Sequence, residues 1–180
     1  MAATPLHRRD ALGIAEDIRE GRTSAVEALE HFRDRVERLN PAINAVIADD
    51  FGGARDAAEG LDRLQRRGYS LGPFHGVPMT VKESYDLTGF RTTWGDPAYA
   101  ENVAETDSVV VERIKRAGAN VFGKTNVPLN LTDWQSYNAV YGSCGNPWDP
   151  SRTPGGSSGG SAAALAAGLT GLEFGSDVGA

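Results

Sequence analysis

The chain has 180 residues, and 18 Lys and Arg against 24 Asp and Glu give it a formal net charge of −6. This acidic balance argues against a nucleic-acid binder, which needs a basic surface. The single cysteine, Cys144, excludes an internal disulfide and a cysteine-rich zinc site. Apolar stretches fall short of the ~18–20 residues that a membrane span needs, and the early basic residues are not followed by the apolar core of a signal peptide. We therefore expect a soluble, cytoplasmic protein that binds neither nucleic acid nor membrane.

The first third of the chain has the apolar periodicity of helices. A first helix is predicted before Gly21, and a second begins at a capping box formed by Ser24 and Glu27. We expect Asn40-Pro41 to end the second helix, because proline disfavours helical conformation in the residue before it. These helices are predicted to be scaffold. A short strand and a third helix follow, over 44–47 and 54–67.

The middle of the chain alternates strand, helix and strand. Met79-Thr80-Val81 forms a short β-prone run after a Gly/Pro turn, and residues 119–122 form the next, with 123–126 as a loop. Between them, 106–108 offers N-cap residues for a helix. The inward face of this helix is predicted to carry Val109, Val110 and Ile114. The alternation predicts an α/β layered fold.

A Gly/Ser-rich stretch over 153–161 leads directly into an alanine-rich run over 162–167. That run is a strong helix former that is apolar on all sides, and such a helix is expected to be buried. The stretch is then the loop before a buried helix, where free amides and the helix dipole suit an anion or a developing negative charge. A flexible linker and a phosphate loop are the alternatives, although the loop lacks the lysine of a P-loop. Residues 169–174 are predicted as a sheet strand.

The candidate catalytic base is a lysine. The three histidines, His7, His31 and His75, lie in helical or turn segments without metal spacing, and a Ser-His-Asp hydrolase is therefore poorly supported. A lysine can activate a serine when burial lowers its pKa towards the working pH.

Two lysines compete for this role. Lys82 directly follows an apolar strand and is the better candidate, while Lys124, beside two polar residues, is its rival. The structural alternative for Lys82 is a surface ion pair with Glu83 or Asp86.

Four segments together resemble the amidase signature family. Residues 74–82 (FHGVPMTVK) resemble its lysine-bearing strand, 118–126 and 146–149 its intervening landmarks, and 155–179 its signature segment. Their order and spacing match as well. The resemblance implies an α/β fold with a mixed central β-sheet flanked by helices. Because the chain stops inside a glycine-punctuated segment, residues 1–180 are expected to be the N-terminal part of a single such domain.

The resemblance implies a Ser-Ser-Lys triad. Lys82 matches the catalytic lysine of the family, and Ser157 matches the bridging serine, which the family holds in a cis peptide bond. Ser158 matches a neighbouring serine that supports both by hydrogen bonding. The nucleophilic serine is expected one position beyond the last residue of the chain. Ser176 lies five positions before that point and is not expected to replace it.

The resemblance also implies an oxyanion hole formed by the backbone amides of Val178, Gly179 and Ala180, with Ala180 in place of the usual glycine. No metal or organic cofactor is implied. The implied activity of the whole protein is hydrolysis of a small-molecule carboxylic acid amide through a serine acyl-enzyme, with the 180-residue chain alone inactive. The alternatives are the glutamine-hydrolysing subunit of a tRNA-dependent amidotransferase, which needs partner subunits, and a non-catalytic anion-binding domain.

The identity of the amide and the oligomeric state do not follow from the sequence. A segment that either packs in the fold or lines one wall of the substrate pocket comprises Trp134, Gln135, Ser136 and Tyr137.

Overall fold

The structure, a computed structural model, describes residues 4–177. The helices are α1 (Ala11–Arg19), α2 (Ala25–Ile43), α3 (Phe51–Arg66), α4 (Val109–Arg116) and α5 (Gly159–Ala166). The strands are β1 (Val46–Asp49), β2 (Pro78–Lys82), β3 (Asn120–Thr125), β4 (Tyr137–Asn138), β5 (Gly142–Ser143) and β6 (Glu173–Phe174). Short 3-10 turns occupy Leu6–Arg8, Pro97–Tyr99 and Leu129–Leu131.

The central sheet is mixed, as predicted. Within the described residues it has four strands in the order β1-β3-β2-β6, and β4 pairs with β5 in a separate hairpin. Strand β2 runs parallel to β3 and β6, whereas β1 is antiparallel to β3. The register between β2 and β3 contains a bulge, because Met79 lies opposite Val121 but Thr80 lies opposite Gly123. Beyond the bulge, Lys82 lies opposite Thr125.

Helices cover both faces of the sheet. One apolar cluster joins α1, α2, α3 and α5 around Phe32 and Phe122. A second cluster packs α4 against Met79 and Val81 of β2. Because side chains alternate along a strand, the next position in β2, Lys82, faces the opposite side, towards α5. All five residues of β2 are buried.

Helix α2 begins as predicted but ends later than predicted. The capping box is present, with the Ser24 hydroxyl accepting from the Glu27 amide at 3.1 Å and the Glu27 carboxylate accepting from the Ser24 amide at 2.8 Å. The helix does not stop at Asn40-Pro41 and continues to Ile43. The Asn40 side chain explains this, because it accepts from the amides of the two residues at 45 and 46 at 2.9 Å and secures the chain after the proline.

One prediction in the middle of the chain was wrong, and another was right only in part. Residues 123–125 belong to β3 rather than to a loop, because this central strand pairs with β1 on one side and β2 on the other. In α4, Ile114 is buried and Val110 is partly buried, as predicted, but Val109 is 61% exposed and Val111 is buried instead. The helix begins at Val109, and Val111 and Ile114, three positions apart, face the sheet.

The C-terminal predictions hold in part. Helix α5 buries Ala163 and Ala164, but Leu165 on its outer side is half exposed, so the helix is not covered all round by the described residues. The strand predicted over 169–174 is limited to β6, at Glu173–Phe174. His75 is buried, its Nδ1 accepts from the Leu71 amide, and its Nε2 bonds to the Leu61 carbonyl of α3, which supports a structural role.

A pair of helical glycines tests the packing of α5. A Cβ on Gly160 would lie 2.3 Å from the backbone nitrogen of Asn126, whereas a Cβ on Gly60 of α3 would meet only the flexible end of Arg63, at 3.6 Å. We expect Gly160→Ala to lower the free energy of unfolding by about 1–3 kcal/mol, because backbone cannot move aside cheaply. Gly60→Ala should raise it by about 0.5–1 kcal/mol. Urea titration measures both, and equal effects would contradict the close approach of α5 to β3.

Candidate active site

Lys82 lies at the end of β2, and its side chain is completely buried. Its Nζ donates to Ser157 Oγ at 2.7 Å, to Ser176 Oγ at 3.0 Å and to the Ser176 carbonyl at 3.1 Å. Burial lowers the pKa of Lys82 below its ordinary value of 10.5, and the charge of Asp177 opposes this shift. The amine is therefore closer to its neutral form at working pH than an exposed lysine would be, as a proton acceptor requires.

The segment that carries Ser157 is packed too closely for larger residues. The Gly156–Ser157 peptide bond is cis, as the resemblance implies. A Cβ on Gly156 would lie 2.4 Å from the carbonyl oxygen of Asp133, and one on Gly159 would lie 2.3 Å from Ser136 Oγ. The glycines therefore allow the loop over 133–136 to lie directly against the segment that carries Ser157.

The same loop includes the segment considered as a pocket wall. Ser136 is buried, and its hydroxyl donates to the Gly155 carbonyl at 3.0 Å. Trp134 is 85% exposed and Tyr137 is half exposed. Ser136 therefore packs within the fold, whereas the side chain of Trp134 is exposed to solvent.

Ser158 reaches Lys82 through Ser176. The Ser158 hydroxyl donates to the Ser176 carbonyl at 3.0 Å and accepts from the Ser176 amide at 3.2 Å. The main chain of Ser176 is thus fastened to the N-terminus of α5 while its carbonyl and hydroxyl oxygens accept from the lysine. Ser158 fixes the position of two of the three acceptors around the amine.

The contact between Lys82 and Ser176 was not predicted from the sequence. From the sequence, Ser176 is considered only as an unlikely replacement for the nucleophile. The signal that points to it is topological, because Ser176 follows β6 closely and β6 runs parallel to β2. Carboxyl ends of neighbouring parallel strands meet at one edge of a sheet, which places Ser176 beside Lys82.

Lys124 and Glu83 have partners away from Lys82. Lys124 is completely buried, and its Nζ donates to the Arg91 carbonyl at 2.5 Å and to Thr92 Oγ1 at 2.8 Å. Burial lowers the pKa of Lys124 to about 8. Position matters more than pKa for a proton acceptor, and it is the amine of Lys82 that contacts the serines.

Glu83, considered above as a partner of Lys82 in a surface ion pair, is completely buried and has other partners. The Glu83 carboxylate accepts from the amides of Thr93 and Trp94 and from the hydroxyls of Thr93 and Tyr141.

The predicted oxyanion-hole residues, Val178, Gly179 and Ala180, lie outside the described residues. Among residues 4–177, no group of three or more His, Cys, Asp or Glu side chains is arranged to hold a metal ion. None of the helices in this part of the chain is long and apolar enough to cross a membrane.

The Amidase family model matches residues 27–180. The chain belongs to the amidase signature family. It is 41% identical over 175 residues to an indoleacetamide hydrolase of Bradyrhizobium diazoefficiens, and the match covers 97% of this chain and 33% of that protein. It is 42% identical over 178 residues to an acylamidase of Rhodococcus erythropolis, covering 98% and 37%. It is 38% identical over 174 residues to a glutamyl-tRNA(Gln) amidotransferase subunit of Acidothermus cellulolyticus, covering 97% and 34%.

The fold of this amidase signature chain matches solved structures of the family. A fatty acid amide hydrolase structure superposes with a TM-score of 0.92 at 26% identity, covering 98% of this chain and 32% of that one. The chain spans about a third of the length of the curated relatives it matches.

The buried amine of Lys124 predicts a pH dependence of stability. Between pH 8 and 10.5 the unfolded chain keeps a proton on this lysine that the folded chain has lost, so stability rises with pH in this window. We expect the free energy of unfolding of the wild type to rise relative to that of Lys124→Met by up to about 3 kcal/mol. Urea titrations across the window measure the difference. Lys115→Met, which replaces an exposed lysine paired with Asp107, is the control. A constant difference for Lys124→Met would contradict the lowered pKa.

Proposed function

We propose that the protein containing this chain hydrolyses the C–N bond of a small carboxylic acid amide through a serine acyl-enzyme. The observation that supports this most directly is the buried amine of Lys82, which lies 2.7 Å from Ser157 Oγ. The neutral form of the amine has a lone pair, and at that distance it can take the hydroxyl proton of Ser157 instead of donating to the oxygen. Ser157 in turn can take the proton of a nucleophilic serine. Lys82 and Ser157 are the proposed catalytic residues, and Ser158 supports them through Ser176.

The nucleophile in this proposal is the serine expected directly after Ala180. Its attack on the amide carbonyl forms a tetrahedral intermediate, and the backbone amides of Val178, Gly179 and Ala180 stabilise the oxyanion. One such donor contributes about 3–4 kcal/mol. The proton held by Lys82 then returns through Ser157 to the leaving nitrogen, the C–N bond breaks, and water cleaves the acyl-enzyme. The residues in this scheme require no metal or organic cofactor.

The same reasoning extends to the rest of the protein. We propose that residues 1–180 form the N-terminal part of a single amidase-signature domain that works in the cytoplasm on a small-molecule amide, without nucleic acid or membrane as a partner. Two of the relatives, an indoleacetamide hydrolase and an acylamidase, support amide hydrolysis by name.

A second candidate function is that of a glutamine-hydrolysing amidotransferase subunit, which the 38% identity to a glutamyl-tRNA(Gln) amidotransferase subunit supports. Amide hydrolysis by the purified full-length protein alone favours the amidase. Release of ammonia from glutamine only when partner subunits are added favours the amidotransferase. A non-catalytic anion-binding domain has less support, because the Gly/Ser loop lies against the loop over 133–136 and supplies a hydroxyl to Lys82.

We expect Lys82→Ala in the full-length protein to lower kcat by about 10³-fold or more, because the proton acceptor is lost. Lys82→Arg should be nearly as inactive, since a guanidinium is not deprotonated in proteins. In the wild type, kcat/KM should rise with pH and level off above the pKa of Lys82, which lies below 10.5. Steady-state assays on a panel of amides measure these changes, with Lys115→Arg as the surface control. An active Lys82→Arg enzyme would rule out the assignment.

A fluorophosphonate probe, which reacts with activated serines, tests the position of the nucleophile. We expect it to label the full-length protein at the residue after Ala180 and to leave the 180-residue chain unlabelled. Labelling should persist in Ser176→Ala, because Ser176 accepts from Lys82 and is not the nucleophile. Mass spectrometry of the labelled peptide identifies the site. Stoichiometric labelling of the 180-residue chain that depends on Lys82 would overturn this scheme and make Ser157 the first candidate.

A further inference from the structure

Glu173 is a titratable residue with a buried carboxyl group, and it has no part in the proton relay proposed for Lys82. It lies on β6, opposite Thr80 of β2 in the parallel register. Thr80 and Lys82 are two positions apart on β2, so Glu173 faces the same side of the sheet as the lysine. The residue as a whole is half-buried at the edge of the sheet, yet burial of its carboxyl group raises the pKa of Glu173 to about 7.

The carboxyl group of Glu173 is surrounded by hydroxyl groups. Thr80 Oγ1 donates to Oε2, and Thr125 Oγ1 donates to Oε1 at 3.3 Å. The hydroxyl of Ser161 is a further hydrogen-bond partner and lies 2.9 Å from Thr125 Oγ1. All three hydroxyl side chains are buried. We call these four residues the carboxyl cluster.

Each member of the carboxyl cluster comes from a different element. Thr80 lies on β2, Thr125 on β3, Ser161 on α5 and Glu173 on β6. Three of these elements carry the groups around the lysine amine. Strand β2 ends at Lys82, the residues at 157 and 158 directly precede α5, and the residue at 176 follows β6. A single carboxyl group therefore contacts every element that positions the relay.

The hydrogen-bond donors of the cluster favour a carboxylate, whereas burial of the group opposes the charge. An ionised carboxyl group only accepts hydrogen bonds, and the hydroxyls of Thr80 and Thr125 donate to it. Ser161 is a further partner of the carboxyl group and shares a hydrogen bond with Thr125. A glutamine of the same shape offers one oxygen acceptor and an NH₂ donor, so part of this set would have to reorient. Stability alone does not account for the charge, because a carboxylate away from water is penalised by desolvation.

We propose that Glu173 is a positioning residue for amide hydrolysis, which holds β2, α5 and β6 in the mutual arrangement that brings Lys82 to Ser157. The proposal rests on the amidase function proposed for the full-length protein. Because Glu173 acts through the distance between two catalytic groups, its replacement should lower the rate of the chemical steps and leave substrate binding unchanged.

Glu173→Gln in the full-length protein tests the proposal, with Asp62→Asn as a matched control. Asp62 is another buried carboxylate, which accepts from the amides of Ala25 and Val26 at the N-terminus of α2. For Glu173→Gln we expect kcat and the rate of fluorophosphonate labelling to fall at least about 10-fold. KM should stay within about 2-fold of the wild type. Its Tm at pH 8 should be unchanged or higher, because the uncharged side chain removes the desolvation penalty. Asp62→Asn should lower Tm and leave kcat unchanged.

The outcomes separate this proposal from the function on which it rests. If the wild type is active or labelled and Glu173→Gln matches it, the positioning role is wrong. If Glu173→Gln loses Tm together with activity, Glu173 is structural and the positioning role is also wrong. If the wild type is labelled but hydrolyses amides slowly or not at all, the labelling rates of the wild type and Glu173→Gln are compared instead. A lower rate for Glu173→Gln supports the positioning role, and equal rates contradict it. A wild type that neither hydrolyses amides nor is labelled overturns the proposed function, and this inference with it.

Discussion

The exclusion of water from the amine of Lys82 is the constraint on which the rest of the site depends. A buried amine must find its hydrogen-bond acceptors within the protein. Ser157 and Ser176 supply three acceptor atoms within 3.1 Å. To do so, the loop before α5 and the segment after β6 must both converge on the end of β2. Gly156 meets this requirement on one side, because its missing side chain leaves room for the loop over 133–136.

Several buried ionisable groups in and beside this sheet are satisfied by hydrogen bonds with nearby residues. The carboxylate of Glu83 receives four hydrogen bonds from the loop over 93–94 and from Tyr141. Lys124 gives two hydrogen bonds to the adjoining residues at 91 and 92. Glu173 is surrounded by hydroxyls. Each charged group thereby fixes the position of the backbone or side chains that surround it, and the polar interior is specified residue by residue.

The parts of the structure that depend on local sequence could be predicted, and those that depend on distant partners could not. The capping box of Ser24 and the α/β alternation follow from local pattern and periodicity. The mixed sheet and the pairing of Lys82 with Ser157 follow from the family resemblance. The length of β3 does not, because residues 123–125 become strand only through pairing on both sides. Helix α2 passes Pro41 because of contacts made by one side chain, that of Asn40.

The candidate site could likewise be predicted where it depends on local sequence, but not where it depends on distant strands. Lys82 could be chosen over its rival from its place after an apolar strand, because burial of that strand also buries the lysine. The contact with Ser176 could not, because it depends on β6 lying beside β2, and a parallel neighbour is not evident from a two-residue strand. The resemblance implies that Ser158 supports the lysine and the bridging serine by hydrogen bonding, but the sequence does not indicate that its hydroxyl bonds to the main chain of Ser176.

The bulge between β2 and β3 decides on which side of the sheet each buried lysine lies. Before the bulge, Met79 is opposite Val121, and an uninterrupted register would place Lys82 opposite Lys124 on one face. The extra residue, Phe122, shifts the partners by one, so that Lys82 meets Thr125 and Lys124 meets Val81 instead. Two amines that would repel each other as direct neighbours are thereby separated by the thickness of the sheet. A single inserted position in β3 thus allows this fold to keep one lysine beside the serines and a second as an internal anchor.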